Sequence, residues 1–122
     1  MAGGSGAQAV GFLHGAAAWV SGSVIANPTA GLTIVDTGPL TTAANYLFAV
    51  VGCTDAAWTY EARHLDASLA TLHSIRRIPA AGNDDLLFPN KIRLEINERL
   101  RVVCIADATA NVQLSIFWLE VG

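Results

Sequence analysis

The chain has 122 residues, 52% hydrophobic and 14% charged, with a formal net charge of −3. That length suits one domain with a full core, while the charged fraction lies well below the ~25% of an ordinary soluble domain. The acidic balance lacks the basic footprint of a nucleic-acid binder or of a polybasic membrane patch, and no run of about 18 apolar residues offers a membrane span.

Residues 1–9 are small or uncharged and read as a flexible lead-in or loosely bound arm. No basic n-region precedes the apolar residues and glycines interrupt them, so an export signal is not expected. The first charge along the chain is Asp36. An uncharged stretch of that length is poorly soluble alone and calls for cover by another chain. Residues 1–20 are therefore expected to form an N-terminal arm, with Val10, Phe12, Leu13, Trp19 and Val20 as its apolar contacts. Residues 21–122 form a single domain in this reading.

Short strands and turns then alternate. "VGFLH" and "AWVSGSVI" precede the punctuation Asn27-Pro28, and "LTIVD" is closed by Thr37-Gly38-Pro39. "NYLFAVVGC" is apolar at every other position and between, as in a central strand buried on both faces. "AWTYEARHL" sets Trp58, Tyr60 and Ala62 against Thr59, Glu61 and Arg63. "ATLHSIRRI" alternates until Arg76-Arg77, and "DASLATLHSIRRI" is the one segment where a helix competes. Pro79–Asp84 is the clearest loop. "KIRLEI" places Ile92, Leu94 and Ile96 on one face. After a turn at Asn97-Glu98, "RLRVVCIA" groups Leu100, Val102 and Cys104. "DATA" is expected to close a hairpin, and "NVQLSIFWLEV" sets Val112, Leu114, Ile116 and Trp118 against Gln113, Ser115 and Phe117. Period-two alternation in many short segments predicts an all-β domain, an antiparallel sandwich of roughly eight to ten strands.

Chemistry is sparse. "TIVDTGPL" matches the way an aspartic protease presents its carboxylate, and two such loops can share a proton in a homodimer. Pro39 stands where a small residue is expected, however, and Val50-Val51-Gly52 follows too soon to leave room for a flap. The plainer reading of Asp36-Thr37-Gly38 is a turn that ends a strand. No nucleophile elbow and no phosphate-binding glycine loop occurs, so no cofactor and no small-molecule substrate is implied. His64 and His73, with Asp66, are the best metal candidates, but they and His14 read more simply as surface or hydrogen-bonded histidines. The arginines suit exposed strand faces or inter-subunit salt bridges better than an anion site. Trp19, Trp58 and Trp118 read as core, and Cys53 and Cys104 as two buried thiols.

"LFAVVGCTDAAWTYEARHLDAS", followed after a loop by "FPNKIRLEINERLRVVCIADATANVQLSIFWLEV", resembles the small head decoration, or cement, proteins of tailed bacteriophages. The resemblance covers the carboxy-terminal part and does not extend clearly into the first 40 residues. It implies a jelly-roll sandwich similar to the tumour-necrosis-factor fold, a homotrimer made in the host cytoplasm, and attachment to the major capsid protein on the outer surface of a virion. Phe117 and Leu119, in a strand apolar on both sides, would join the arm residues at the interface. A trimeric tail or receptor-binding module would share this build.

Overall fold

A computed structural model describes residues 17–121. Among them are ten strands and no helix: β1 (Ala18–Ser21), β2 (Ile25–Ala26), β3 (Thr33–Asp36), β4 (Ala44–Thr54), β5 (Tyr60–Leu65), β6 (Thr71–Arg77), β7 (Gly82–Leu87), β8 (Ile92–Leu94), β9 (Arg99–Cys104) and β10 (Asn111–Val121). One sheet runs β1-β10-β4-β7, with β2 also on β10 and β8 also on β4; the other runs β3-β9-β5-β6. All pairings are antiparallel. The chain fills the two layers by crossing between them: β3 leaves the first sheet, β4 returns to it, and β9 and β10 again lie in opposite layers. A six-stranded and a four-stranded antiparallel sheet threaded in this order make a jelly-roll-like sandwich, so the expected all-β sandwich is present.

The alternating residues of the long strands supply the core. Phe48 and Val50 of β4 and Val112, Leu114 and Ile116 of β10 face Tyr60 and Ala62 of β5 and Leu100, Val102 and Cys104 of β9, all buried in one cluster. Side chains from the two inner faces of packed sheets interdigitate in this manner. A polar network ties the layers at one corner: the Tyr60 hydroxyl donates to Asp84 Oδ2 at 2.8 Å, and Arg77 donates to the other oxygen of the same carboxylate. The phenol is fully buried, and burial together with Asp84 raises its pKa far above the ordinary value.

Four local expectations are corrected. "DATA" carries the chain from one sheet to the other instead of closing a hairpin, because β9 pairs with β3 and β5 whereas β10 pairs with β1, β2 and β4. The "KIRLEI" strand ends at Leu94, and Ile96 projects into solvent; a turn at Asn97 takes over, with φ of 73° and its N–H donating to Leu40 O. β4 is buried on one face only, since Leu47 and Cys53 are exposed. The loop read at Pro79–Asp84 is shorter, because Gly82 already pairs with Thr54. The segment where a helix competed contains strand β6, as the alternation in "ATLHSIRRI" indicates, held on β5.

Candidate functional site

The outward face of the first sheet carries the most unusual surface. Antiparallel register lines up Trp19, Phe117, Ala49 and Leu87 in one row across β1, β10, β4 and β7. Leu119 and Leu47 stand opposite each other in the next row. Trp19 is 64% exposed, Leu87 71% and Phe117 42%, and the Trp19 and Phe117 rings stack with centroids 6.3 Å apart. Ala17, Leu47, Ala49, Leu87, Phe117 and Leu119 line a shallow apolar depression of about 270 Å³. Polar positions bound the patch: Ser21, Ser115 and Asp85 on one side, Asn45 and Arg93 on the other. An apolar patch with a polar rim is the surface signature of an interaction site.

Three of the residues singled out as contacts, Trp19, Phe117 and Leu119, thus share one face. Val20 points the other way and packs against the core. Its strand, β1, is part of the sheet rather than of a detached arm. Val10, Phe12 and Leu13 lie outside the described residues, as does His14. Trp19 was read as core and is exposed instead; Trp58 is core, buried against Tyr60 with ring centroids 5.2 Å apart. The sequence reading missed Leu47 and Leu87. Alternation in "NYLFAVVGC" assigns Leu47 to a face, but only the neighbouring strands show that no second layer covers it.

The Asp-Thr-Gly segment ends β3 in a tight turn. Asp36 Oδ1 accepts the Gly38 N–H at 2.6 Å, and Gly38 takes a φ of 74°, which glycine reaches without strain. Asp36 Oδ2 accepts from Arg101 Nε at 2.6 Å and lies 3.5 Å from Arg99 Nη1. Thr37 pins the turn to β9, its N–H donating to Leu100 O and its hydroxyl accepting from Leu100 N. The carboxylate therefore sits between guanidinium groups, the opposite of the like-charged pairing that a shared catalytic proton requires.

His64 is 3% exposed, and its Nε2 meets Glu98 Oε1 at 2.8 Å. Burial alone would raise the Glu98 pKa, but the Glu95 N–H and the His64 ring outweigh it and hold the carboxyl below its usual range. His73 stacks on His64 with centroids 5.4 Å apart. Asp66 is occupied elsewhere, accepting the Ser68 and Ala70 N–H groups in the β5–β6 turn. Among the described residues no group of three or more His, Cys, Asp or Glu side chains is placed to hold a metal. Cys104 is buried, as expected, but Cys53 is exposed on the outward face of β4, because one side of that strand has no covering layer.

The outward face of the second sheet is polar. Glu61 accepts from Arg63 Nε at 2.7 Å and from Arg76 Nη2 at 3.1 Å. The Arg63 bond leads in holding Glu61 below the usual carboxylate range, against the effect of burial. The two outer faces therefore differ in kind, one apolar and one rich in arginine.

No protein-family model and no curated protein sequence matches the chain. Among solved structures it is similar to a chain in the structure of infectious bursal disease virus, Gx strain, with 12% identity, a TM-score of 0.45 and coverage of 88% of this chain. The chain spans 32% of the length of that neighbour.

Proposed function

We propose that this chain is a structural virion protein, a homotrimeric jelly roll that attaches to the major capsid protein on the outside of a phage head and strengthens the shell. The observation that carries the binding part of this reading is the exposed row Trp19–Phe117–Ala49–Leu87 on the first sheet. Such a surface costs free energy in water, about 25 cal/mol for each Å² of apolar area left uncovered. A second copy of the chain is its occupant in the trimer. The resemblance of residues 47–68 and 88–121 to head decoration proteins supports the trimer and the capsid attachment. Several modest contacts from a trimer on a rigid lattice add through effective concentration.

The test is native mass by light scattering, followed by co-sedimentation with capsids. A trimer that falls to monomer with Phe117→Glu or Leu87→Glu is the expected result. A monomer that stays unchanged by either substitution overturns the proposal. Abundant copies per virion accord with head decoration, whereas a few copies at one vertex would move the protein to the tail.

Asp36 is a structural carboxylate in this reading, and the protein is not an enzyme. Asp36→Asn keeps the side-chain oxygen that accepts from Gly38 but loses the charged partner of Arg101. It should lower stability by about 1 kcal/mol. Cleavage of a peptide library by the unmodified protein, abolished by Asp36→Asn, would instead establish a protease.

A further inference from the structure

The outward face of the second sheet holds a local conflict. Arg63 on β5 and Arg101 on β9 are direct register partners. Side chains so placed stand about 5 Å apart at Cβ, and like charges in that position destabilise the pair of strands. Arg76 adjoins them from β6, opposite Glu61, and Arg99 follows on β9 beside Asp36. The outer face thus gathers four of the chain's seven basic residues. The four strands contain only two carboxylates to set against them, Glu61 and Asp36. The face is therefore positive in a chain whose net charge is −3.

The internal carboxylates also leave part of each guanidinium unused. Arg63 and Arg101 each spend Nε on an internal partner, and their Nη groups have no hydrogen-bond partner among the described residues. These paired donors form the fork that grips a carboxylate through two bonds. Arg63, Arg76 and Arg101, with Thr33 and Thr71, line one open depression of about 360 Å³ between β3 and β6. A fold that tolerates opposed arginines over such a depression has departed from local stability rules in the manner expected of a binding surface.

We propose that this face is a docking site for an acidic segment of a partner protein, whose Asp or Glu side chains enter between Arg63 and Arg101 and reach Arg76. Charge complementarity selects the partner. Each incoming carboxylate relieves the opposed pair, while Glu61 and Asp36 repel a continuous polyanion and leave room only for spaced charges. The proposal rests on the reading of the chain as a binding module. It concerns the face of the sandwich opposite the apolar row, so the two contacts are separable.

The experiment titrates the full-length protein with a capped eight-residue peptide carrying glutamates separated by uncharged residues, following backbone amide resonances. Shifts confined to β5, β6 and β9, lost at high salt, are expected. Arg63→Gln and Arg76→Gln should each weaken binding about tenfold while leaving the amide spectrum folded and the native mass unchanged. The shift map of the unmodified protein decides the matter even if a variant folds poorly. Shifts elsewhere, no binding, or equal displacement by inorganic phosphate at the same concentration would overturn the proposal. Retained binding in both arginine variants would overturn it too, whereas a monomeric native mass of the unmodified protein with these shifts intact would overturn the apolar-face trimer alone.

Discussion

At the residue scale, small differences in environment separate chemically identical groups. Cys53 on β4 and Cys104 on β9 occupy apolar strands of similar texture, yet one is exposed and the other buried. Burial raises the Cys104 pKa, and the thiolate is the reactive form. A thiol reagent at neutral pH should therefore modify Cys53 well before Cys104; mass spectrometry of partly labelled protein, with equal modification of both, would contradict the burial pattern. Gly52 is a second case. A Cβ there would lie 2.0 Å from the Gln113 carbonyl oxygen, a backbone atom that cannot rotate aside. Gly52→Ala should cost about 3 kcal/mol, read as a lower urea midpoint at unchanged slope. Nothing in "AVVGCT" marks this glycine as indispensable, since the atom it makes room for is far away in sequence.

At the element scale, strands are held as much by what crosses between layers as by their own ladders. The Tyr60–Asp84–Arg77 network joins β5, β7 and β6 at the point where the chain leaves one sheet for the other. Tyr60 has a raised folded pKa, and burial leads in raising that of Tyr46 too. A phenol favoured in its neutral form by the fold stabilises the protein below its unfolded pKa of about 10, and that contribution is lost as pH rises through the folded value. Ultraviolet titration should show the Tyr60 phenol still neutral at a pH where the unfolded chain has ionised it. Tyr60→Phe should flatten the loss of stability at alkaline pH; an unaltered pH dependence would exclude the network as its cause. The strands themselves were largely legible, because Val112, Leu114 and Ile116, or Leu100, Val102 and Cys104, repeat at the pleat period. Their partners were not, which is why "DATA" read as a hairpin.

At the scale of the whole molecule, the order of strands decides which apolar residues are covered. β1 pairs along one side of β10 through Ala18–Ser21, so it caps a ladder that would otherwise present free N–H and C=O groups. Deleting residues 1–21 should lower the thermal midpoint and promote aggregation more than deleting residues 1–16, as measured by scattering during a melt. Equal effects would mean that β1 contributes little. The two outer faces make the same point for function. Trp19, Phe117, Ala49 and Leu87 come from four separate stretches of sequence and meet only through register; so do Arg63 and Arg101.

The pleat period, the turn residues and the shortage of charge are local properties, readable along the chain, and they determined by themselves an all-β sandwich. They also placed Asp36-Thr37-Gly38 in a turn, since Asp and Gly carry that geometry in their own side chain and backbone. Which face of β4 lacks a covering layer, which arginines oppose each other, and which cysteine meets solvent were decided only in the tertiary structure. A strand's alternation names two faces, but a face becomes core or surface according to whether another sheet lies against it.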